Sequence, residues 1–378
     1  MNTALNKKVP SLVPAFDDQD EVFSLAFSLL REAIKQRAFP AASVAVTLQD
    51  RLVVLKSFGH FAYEADSPVT TPESVFDLAS VTKVVATTTM AMILYERGLL
   101  DLDASVSETV PEFLADSSGR LDPQRPEVTF RMLLAHSSGL PAYEKLFLKT
   151  HSRDDLLGAA FGIPLSADPG SRAEYSDIGF IILGTALERI ANASLDAFCR
   201  REIFGPLSMT NTPFNPSAKA HKKIPPTADD RSFRHKIIQG EVQDENAFVL
   251  GGVAGHAGLF STAGDLSCFA HALLRGGRPI LRPETVALFT RRQSAPPGTS
   301  RALGWDTPSA PSQSGKYFGP GSFGHLGYTG TSLWIDPERQ LSVILLTNRT
   351  WPDCTNQAIK QVRPKFHDAV VAGLIQTA

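Results

Sequence analysis

The chain has 378 residues, a formal net charge of −2, 43% hydrophobic content and 20% charged content. A chain of that length can bury a large core, as one large domain or two coupled ones. The near-neutral balance offers no electrostatic footprint for nucleic acid or an anionic membrane. Lys222-Lys223 and Arg291-Arg292 are isolated doublets that read as solvated. No run approaches the roughly 18 apolar residues of a membrane span.

Residues 1–17 read as a loose tail. Lys7 and Lys8 precede Pro10, Pro14, Asp17 and Asp18, which interrupt the apolar stretch that a secretory signal needs. A cytoplasmic location is expected on that ground, or a secreted one if the sequence is a trimmed mature form. Glu21 to Arg37 then sets Val22, Ala26, Leu29, Leu30 and Ala33 at helical spacing, and Pro40 ends the run. Ser43–Leu48 and Leu52–Phe61 alternate and are rich in valine, which predicts a hairpin across a turn without glycine.

Some 200 residues of helical patterns and Pro/Gly-rich loops follow. Gly179–Ile190 and Asp265–Leu274 are their clearest helices, and the long loops at 205–226 and 295–321 are expected to form a binding rim. Ser332–Ile335 and Leu341–Thr347 form a second strand pair around the turn Asp336-Pro337-Glu338-Arg339, and 356–376 reads as a helix. The pattern predicts an α/β fold with one sheet assembled from both chain ends (1–79 and 300–378), flanked by helices. A mainly helical insertion, 80–299, lies between them, with a site at the seam. Cys199, Cys268 and Cys354 are far apart and odd in number, and suit reduced thiols better than a disulfide framework.

Ser80-Val81-Thr82-Lys83 is the only place where a serine stands three residues before a lysine. On a helix these two share a face, and a lysine can help activate a serine hydroxyl as a nucleophile. Tyr175-Ser176-Asp177 follows the turn-forming Asp168-Pro169-Gly170 and opens a helix that Ser176 or Asp177 can cap. Tyr175 is then free to exchange protons with the nucleophile, and a nearby ammonium makes a phenol easier to ionise. His325-Leu326-Gly327-Tyr328-Thr329-Gly330 enters the C-terminal hairpin, where glycines let a substrate backbone approach and an unpaired amide can serve an oxyanion.

In this order and at these separations the three segments resemble the motifs Ser-x-x-Lys, Tyr-x-Asn and Lys/His-x-Gly of the serine β-lactamase and penicillin-binding-protein superfamily. The likeness is to its branch of class C β-lactamases, D-alanyl-D-alanine carboxypeptidases and related esterases. Leu133–Pro141, Gly255–Thr262 and Leu303–Asp306 are also similar to that family's text, so the likeness runs from about residue 22 to the C-terminus. The resemblance implies a mostly antiparallel sheet with flanking helices plus a helical region, and an acyl-enzyme on Ser80. Lys83 and Tyr175 would share the proton work, with the acylation base left open between them. The amides of Ser80 and Tyr328 would form the oxyanion hole. Asp177, His325 and Gly327 would face the substrate.

Two departures stand out. Asp177 replaces the asparagine and can pair with Lys83, which would hold the lysine protonated and shift base work to Tyr175. Leu326 replaces a threonine that in relatives helps grip a substrate carboxylate, and His325 in place of lysine makes positive charge there conditional on pH. Both changes favour a neutral ester, an amide or an unusual peptide over a β-lactam.

His136 and His256 read as structural histidines in tight loops, and Asp244 and Glu245 as loop residues that can line a pocket. Gly251–Gly258 lacks a phosphate-loop pattern, no H-E-x-x-H pair occurs, and no G-x-S-x-G elbow occurs. The expectation is therefore a serine hydrolase without metal or cofactor, acting on a small-molecule ester, amide or peptide. The competing reading is a non-catalytic relative that senses cell-wall fragments.

Overall fold

The computed structural model describes residues 12–376. The tail expected over 1–17 therefore lies largely outside the described residues. Of the remainder, Val13–Pro14 forms a short strand running parallel to Arg51–Leu52.

Six strands make the main sheet, in the order Val13–Pro14, Arg51–Gly59, Ala41–Leu48, Leu341–Thr347, Ser332–Asp336, Phe323–Leu326. Every pairing after the first is antiparallel. The two terminal hairpins meet at the centre, where Ala45 pairs with Ile344 and Val46 with Val343. The N-terminal hairpin turns without glycine because Gln49 takes the left-handed conformation (φ 55). In the C-terminal turn Asp336 Oδ1 accepts the amides of Glu338 and Arg339 at 3.0 and 3.2 Å.

Side chains alternate across a strand, so the central strands feed two cores. Val44, Val46, Val343 and Leu345 face Phe27, Leu30, Phe366 and Val370 on the terminal helices Ser24–Lys35 and Ile359–Gln376. Ala45, Ile344 and Leu346 face the larger core that includes the helix Ala263–Leu274 and the inserted region. The result is a helix–sheet–helix sandwich, with every residue of Leu341–Thr347 buried. The helix anticipated over Glu21–Arg37 breaks at Phe23 into Gln19–Val22 and Ser24–Lys35. No single helix among the described residues is long and apolar enough to cross a membrane.

In the inserted region the helix Asp177–Ala191 is capped by Ser176, whose Oγ accepts the Gly179 amide at 3.0 Å. Its C-terminus closes on Asn192 in the left-handed region (φ 45). Phe76–Asp77 pairs with Phe260–Ser261 and carries the chain from the sheet side to Ser80.

Candidate active site

Ser80 lies in the 3-10 turn Ala79–Val81. A wider helical turn, Lys83–Thr88, and the α-helix Thr89–Glu96 follow. With about three residues per turn at the start, residue 83 comes round over residue 80, and Lys83 Nζ donates to Ser80 Oγ at 3.0 Å. The same nitrogen donates to Asp177 Oδ1 at 2.6 Å and to the His256 carbonyl at 3.1 Å. Three donors meet three acceptors, as an ammonium requires. The Lys83 side chain is fully buried. Burial by itself pulls its pKa down, but Asp177 and Tyr175 overcome that and the net direction is up.

Tyr175 stands at the mouth of the helix Asp177–Ala191. Its ring lies 4.9 Å from Lys83 Nζ, and Lys83 and Ser80 both act on its hydroxyl in the direction that lowers its pKa. The Lys83 ammonium does favour ionisation of this phenol, as expected, but it is not the largest influence. Burial, aided by the Asp177 carboxylate, outweighs the Lys83 charge, and the net shift is upward.

The third segment closes the site from the sheet edge. His325 is 3% exposed, its ring centroid is 5.9 Å from that of Tyr175, and its Nδ1 is 2.8 Å from the Leu326 carbonyl. Burial, with repulsion from Lys83 and Arg301, lowers its pKa to about 3. It is therefore neutral at any working pH, and the pH-conditional positive charge expected there is absent. Gly327 also serves a different purpose from the one anticipated. A Cβ there would lie 1.9 Å from Thr331 Oγ1 and 2.4 Å from the Leu78 carbonyl. The glycine makes room for the protein's own chain rather than for a substrate backbone. Thr331 and Thr329 use that closeness to donate to the Leu78 and Asp77 carbonyls at 3.0 and 2.8 Å, clamping the turn that carries Ser80. Among the described residues, neither the Ser80 nor the Tyr328 amide is taken up in a hydrogen bond. Both residues border a cavity of about 660 Å³, together with Tyr175, Asp177 and His325. The loop 295–321 supplies Arg301 and Asp306 to that rim, whereas 205–226 supplies none of the lining.

The supporting stretches hold these parts in place. His136 Nδ1 accepts the Ser176 amide at 3.1 Å, and its ring packs 4.7 Å from Tyr175, centroid to centroid. His256 turns its carbonyl to Lys83 and its Nε2 to Asp244 Oδ1 at 2.8 Å, while Asp244 and Glu245 line the cavity. Gly304 takes φ 84, and its amide donates to the Leu134 carbonyl at 2.8 Å.

Sequence reasoning missed Asp77, which is 1% exposed. Its carboxylate accepts the amides of Ala79 at 2.8 Å and Gln243 at 2.7 Å, and so ties the nucleophile turn to the acidic wall. Ala79 is held there in the left-handed region (φ 46), a strained conformation for alanine. A lone carboxylate inside Val75-Phe76-Asp77-Leu78-Ala79 was the available signal. Arg349 was also missed. Its Nε donates to the Tyr328 carbonyl at 2.6 Å and its guanidinium stacks 4.3 Å from the Tyr328 ring centroid.

Comparison with known proteins agrees with this arrangement. Residues 26–362 match the family model described as Beta-lactamase. The chain is 31% identical over 344 residues to the N-acetylmuramyl-L-alanine amidase of Bacillus subtilis (strain 168), covering 82% of this chain and 77% of that protein. It is 30% identical over 344 residues to a protein of Escherichia coli (strain K12) named as a D-alanyl-D-alanine carboxypeptidase, covering 82% and 79%. Among solved structures, EstCE1, a hydrolase with promiscuous acyltransferase activity, superposes with a TM-score of 0.74 at 23% identity, over 93% of this chain and 99% of that one. The last likeness establishes the fold, and the family match covers most of the chain: the protein belongs to the Beta-lactamase family and is a serine hydrolase.

Proposed function

We propose that the protein cleaves an ester or amide bond of a small acyl or peptide substrate through an acyl-Ser80 intermediate. One observation carries this reading: Ser80 lines the cavity together with Tyr175, and its hydroxyl lies 3.0 Å from a buried, carboxylate-paired ammonium. With all three of its hydrogens engaged, Lys83 has no lone pair to accept a proton. Tyr175 is then the base once its phenol has given its proton to water, and the Lys83 ammonium stabilises that phenolate.

Ser80 Oγ forms a bond to the substrate carbonyl carbon as its proton passes to the Tyr175 phenolate, which becomes the phenol. The amides of Ser80 and Tyr328 receive the oxyanion. The carbon–oxygen or carbon–nitrogen bond then breaks, and the leaving group takes the proton from Tyr175. Water repeats the sequence on the acyl-enzyme, releasing the acid and restoring the hydroxyl. The names of the amidase and carboxypeptidase relatives support amide or peptide substrates derived from cell wall.

The test is intact-mass spectrometry after incubation with a fluorophosphonate and with a panel of p-nitrophenyl esters, β-lactams and D-amino-acid peptides. The expected result is one adduct that maps to Ser80, with Ser80→Ala losing both the adduct and about four orders of magnitude or more of turnover. A folded sample that no acylating reagent modifies would leave only the ligand-sensing reading.

A further inference from the structure

The Ser80 amide can serve an oxyanion only if the peptide before it keeps an unusual orientation. That orientation is set at Ala79, which takes φ 46, a left-handed conformation that an alanine Cβ disfavours unless its surroundings impose it. From one side Leu78 is fixed. Its amide donates to the Leu259 carbonyl at 2.9 Å, and its carbonyl accepts the Val81 amide at 3.1 Å and the Thr331 hydroxyl at 3.0 Å. From the other side Asp77 Oδ1 accepts the Ala79 amide at 2.8 Å. Asp77 is itself held, because its strand Phe76–Asp77 pairs with Phe260–Ser261 and Thr329 Oγ1 donates to its carbonyl at 2.8 Å. With the Ala79 amide drawn onto the carboxylate, the Ser80 amide is left out of the backbone hydrogen bonds among the described residues, and Ser80 borders the cavity.

The same carboxylate has a second hold. Its Oδ2 accepts the Gln243 amide at 2.7 Å. Asp244, the next residue, lies 2.8 Å from His256 Nε2, and the His256 carbonyl accepts Lys83 Nζ at 3.1 Å. Asp77 is absent from the cavity lining, yet it fixes both the residue before the nucleophile and the loop that leads to the lysine. We propose that Asp77 is a positioning residue for the oxyanion hole: by holding Ala79 left-handed it aims the Ser80 amide at the developing oxyanion. The inference rests on the acyl-Ser80 reading. An amide aimed in advance acts most strongly where the carbonyl oxygen has gained charge, so losing the aim should fall on kcat rather than on KM.

Kinetics of a p-nitrophenyl ester and of its thiono counterpart, in which sulfur replaces the carbonyl oxygen, read that aim. Sulfur is larger and a weaker acceptor, so a hole shaped for oxygen favours the oxo ester. Asp77→Ala removes both acceptors and should lower kcat for the oxo ester by about one to two orders of magnitude, with little change in KM. The thiono ester should suffer much less, so the oxo-to-thiono ratio in kcat/KM should fall about tenfold. Asp77→Asn keeps one acceptor and should lie between the two. A merely structural role would slow both esters alike, and that result overturns the proposal.

Ala79→Gly supplies an independent check, because glycine takes the left-handed conformation without strain. In Asp77→Ala/Ala79→Gly the ratio should therefore recover toward that of the wild type. Should Asp77→Ala alone fail to fold, the double variant is read against Ala79→Gly. Their ratios should agree within about threefold, and a gap of about tenfold would show the carboxylate acting otherwise than through residue 79, which also overturns the proposal. A wild type labelled at Ser80 by fluorophosphonate whose variants keep the wild-type ratio defeats this inference alone. Absence of that labelling would instead strike the acyl-enzyme reading on which it rests.

Discussion

Lys83 Nζ and Asp177 Oδ1 meet at 2.6 Å inside the site, and their partnership sets the charge state of the whole proton network. Burial lowers the Lys83 pKa, and Asp177 is the largest of the influences that turn the net direction upward, with Tyr175 beside it. Asp177→Asn removes the counter-charge while keeping the shape. The lysine should then lose its proton more readily and compete with Tyr175 as base, and the acid limb of the acylation profile should move to lower pH. Burst kinetics with p-nitrophenyl acetate across pH would read this directly. An unmoved limb would mean that the pair does not govern the base.

Tyr175 predicts its own dependence. Because its phenol is shifted upward by burial, acylation in the wild type should keep rising into the alkaline range. Tyr175→Phe should lose that rise together with about two to four orders of magnitude of kcat. The expected signature is a loss in the acylation step with the probe-labelled site still Ser80.

Gly327 should tolerate no side chain. Alanine there would drive a methyl group into Thr331 Oγ1 and the Leu78 carbonyl, forcing the clamp off the Ser80 turn. A stability loss of about 1–3 kcal/mol is expected from overpacking, read as a fall in the urea midpoint, with a larger fractional loss of kcat than of folded protein. Thr331→Ala in the same chain removes one obstacle and should recover part of the stability.

His136 acts on Tyr175 through the backbone, accepting the Ser176 amide. His136→Ala orphans that amide at a buried position, at a cost of about 1–3 kcal/mol, and frees the Tyr175 ring from its stacking partner. The activity loss should fall on kcat more than on KM, because the base is displaced while the substrate walls remain. Equal effects on both constants would argue against a positioning role.

Acid should unfold the protein through its histidines. His325 and His367 are both lowered to about 3 by burial, and His136 is lowered well below its ordinary value. The unfolded chain binds these protons near pH 6.5 and the native state does not. Stability is therefore fully present above that pH and falls as pH drops toward 3, by about 1.4 kcal/mol per unit for each histidine. Asp77 has the opposite sign: burial raises it to about 6, so protonation between pH 6 and 4 favours the native state and partly offsets the loss. Urea titrations from pH 7 to 3.5 should show the net slope. His367→Gln, which removes one titrating ring remote from the cavity lining, should flatten it.

Much of this molecule could be read from local pattern. Alternation announced the N-terminal hairpin, the turn Asp336-Pro337-Glu338-Arg339 announced the C-terminal one, and the apolar run after Tyr175-Ser176-Asp177 announced the helix. Three motifs in order named the family and picked out Ser80, Lys83, Tyr175 and His325. Other features are set by contacts between residues far apart in the chain. The upward shift of Tyr175 and the neutral His325 arise from burial and distant charge, and the grip of Asp77 joins the nearby Ala79 amide to the distant Gln243 amide, which no local pattern encodes. Gly327 is the clearest instance: its residue type was legible, but its reason is Thr331 and Leu78, brought together only when the sheet edge closes on the nucleophile turn. The chemical vocabulary thus belonged to the sequence, whereas protonation states and distances belonged to packing, because electrostatic energies depend on separation and on the loss of water around each charge.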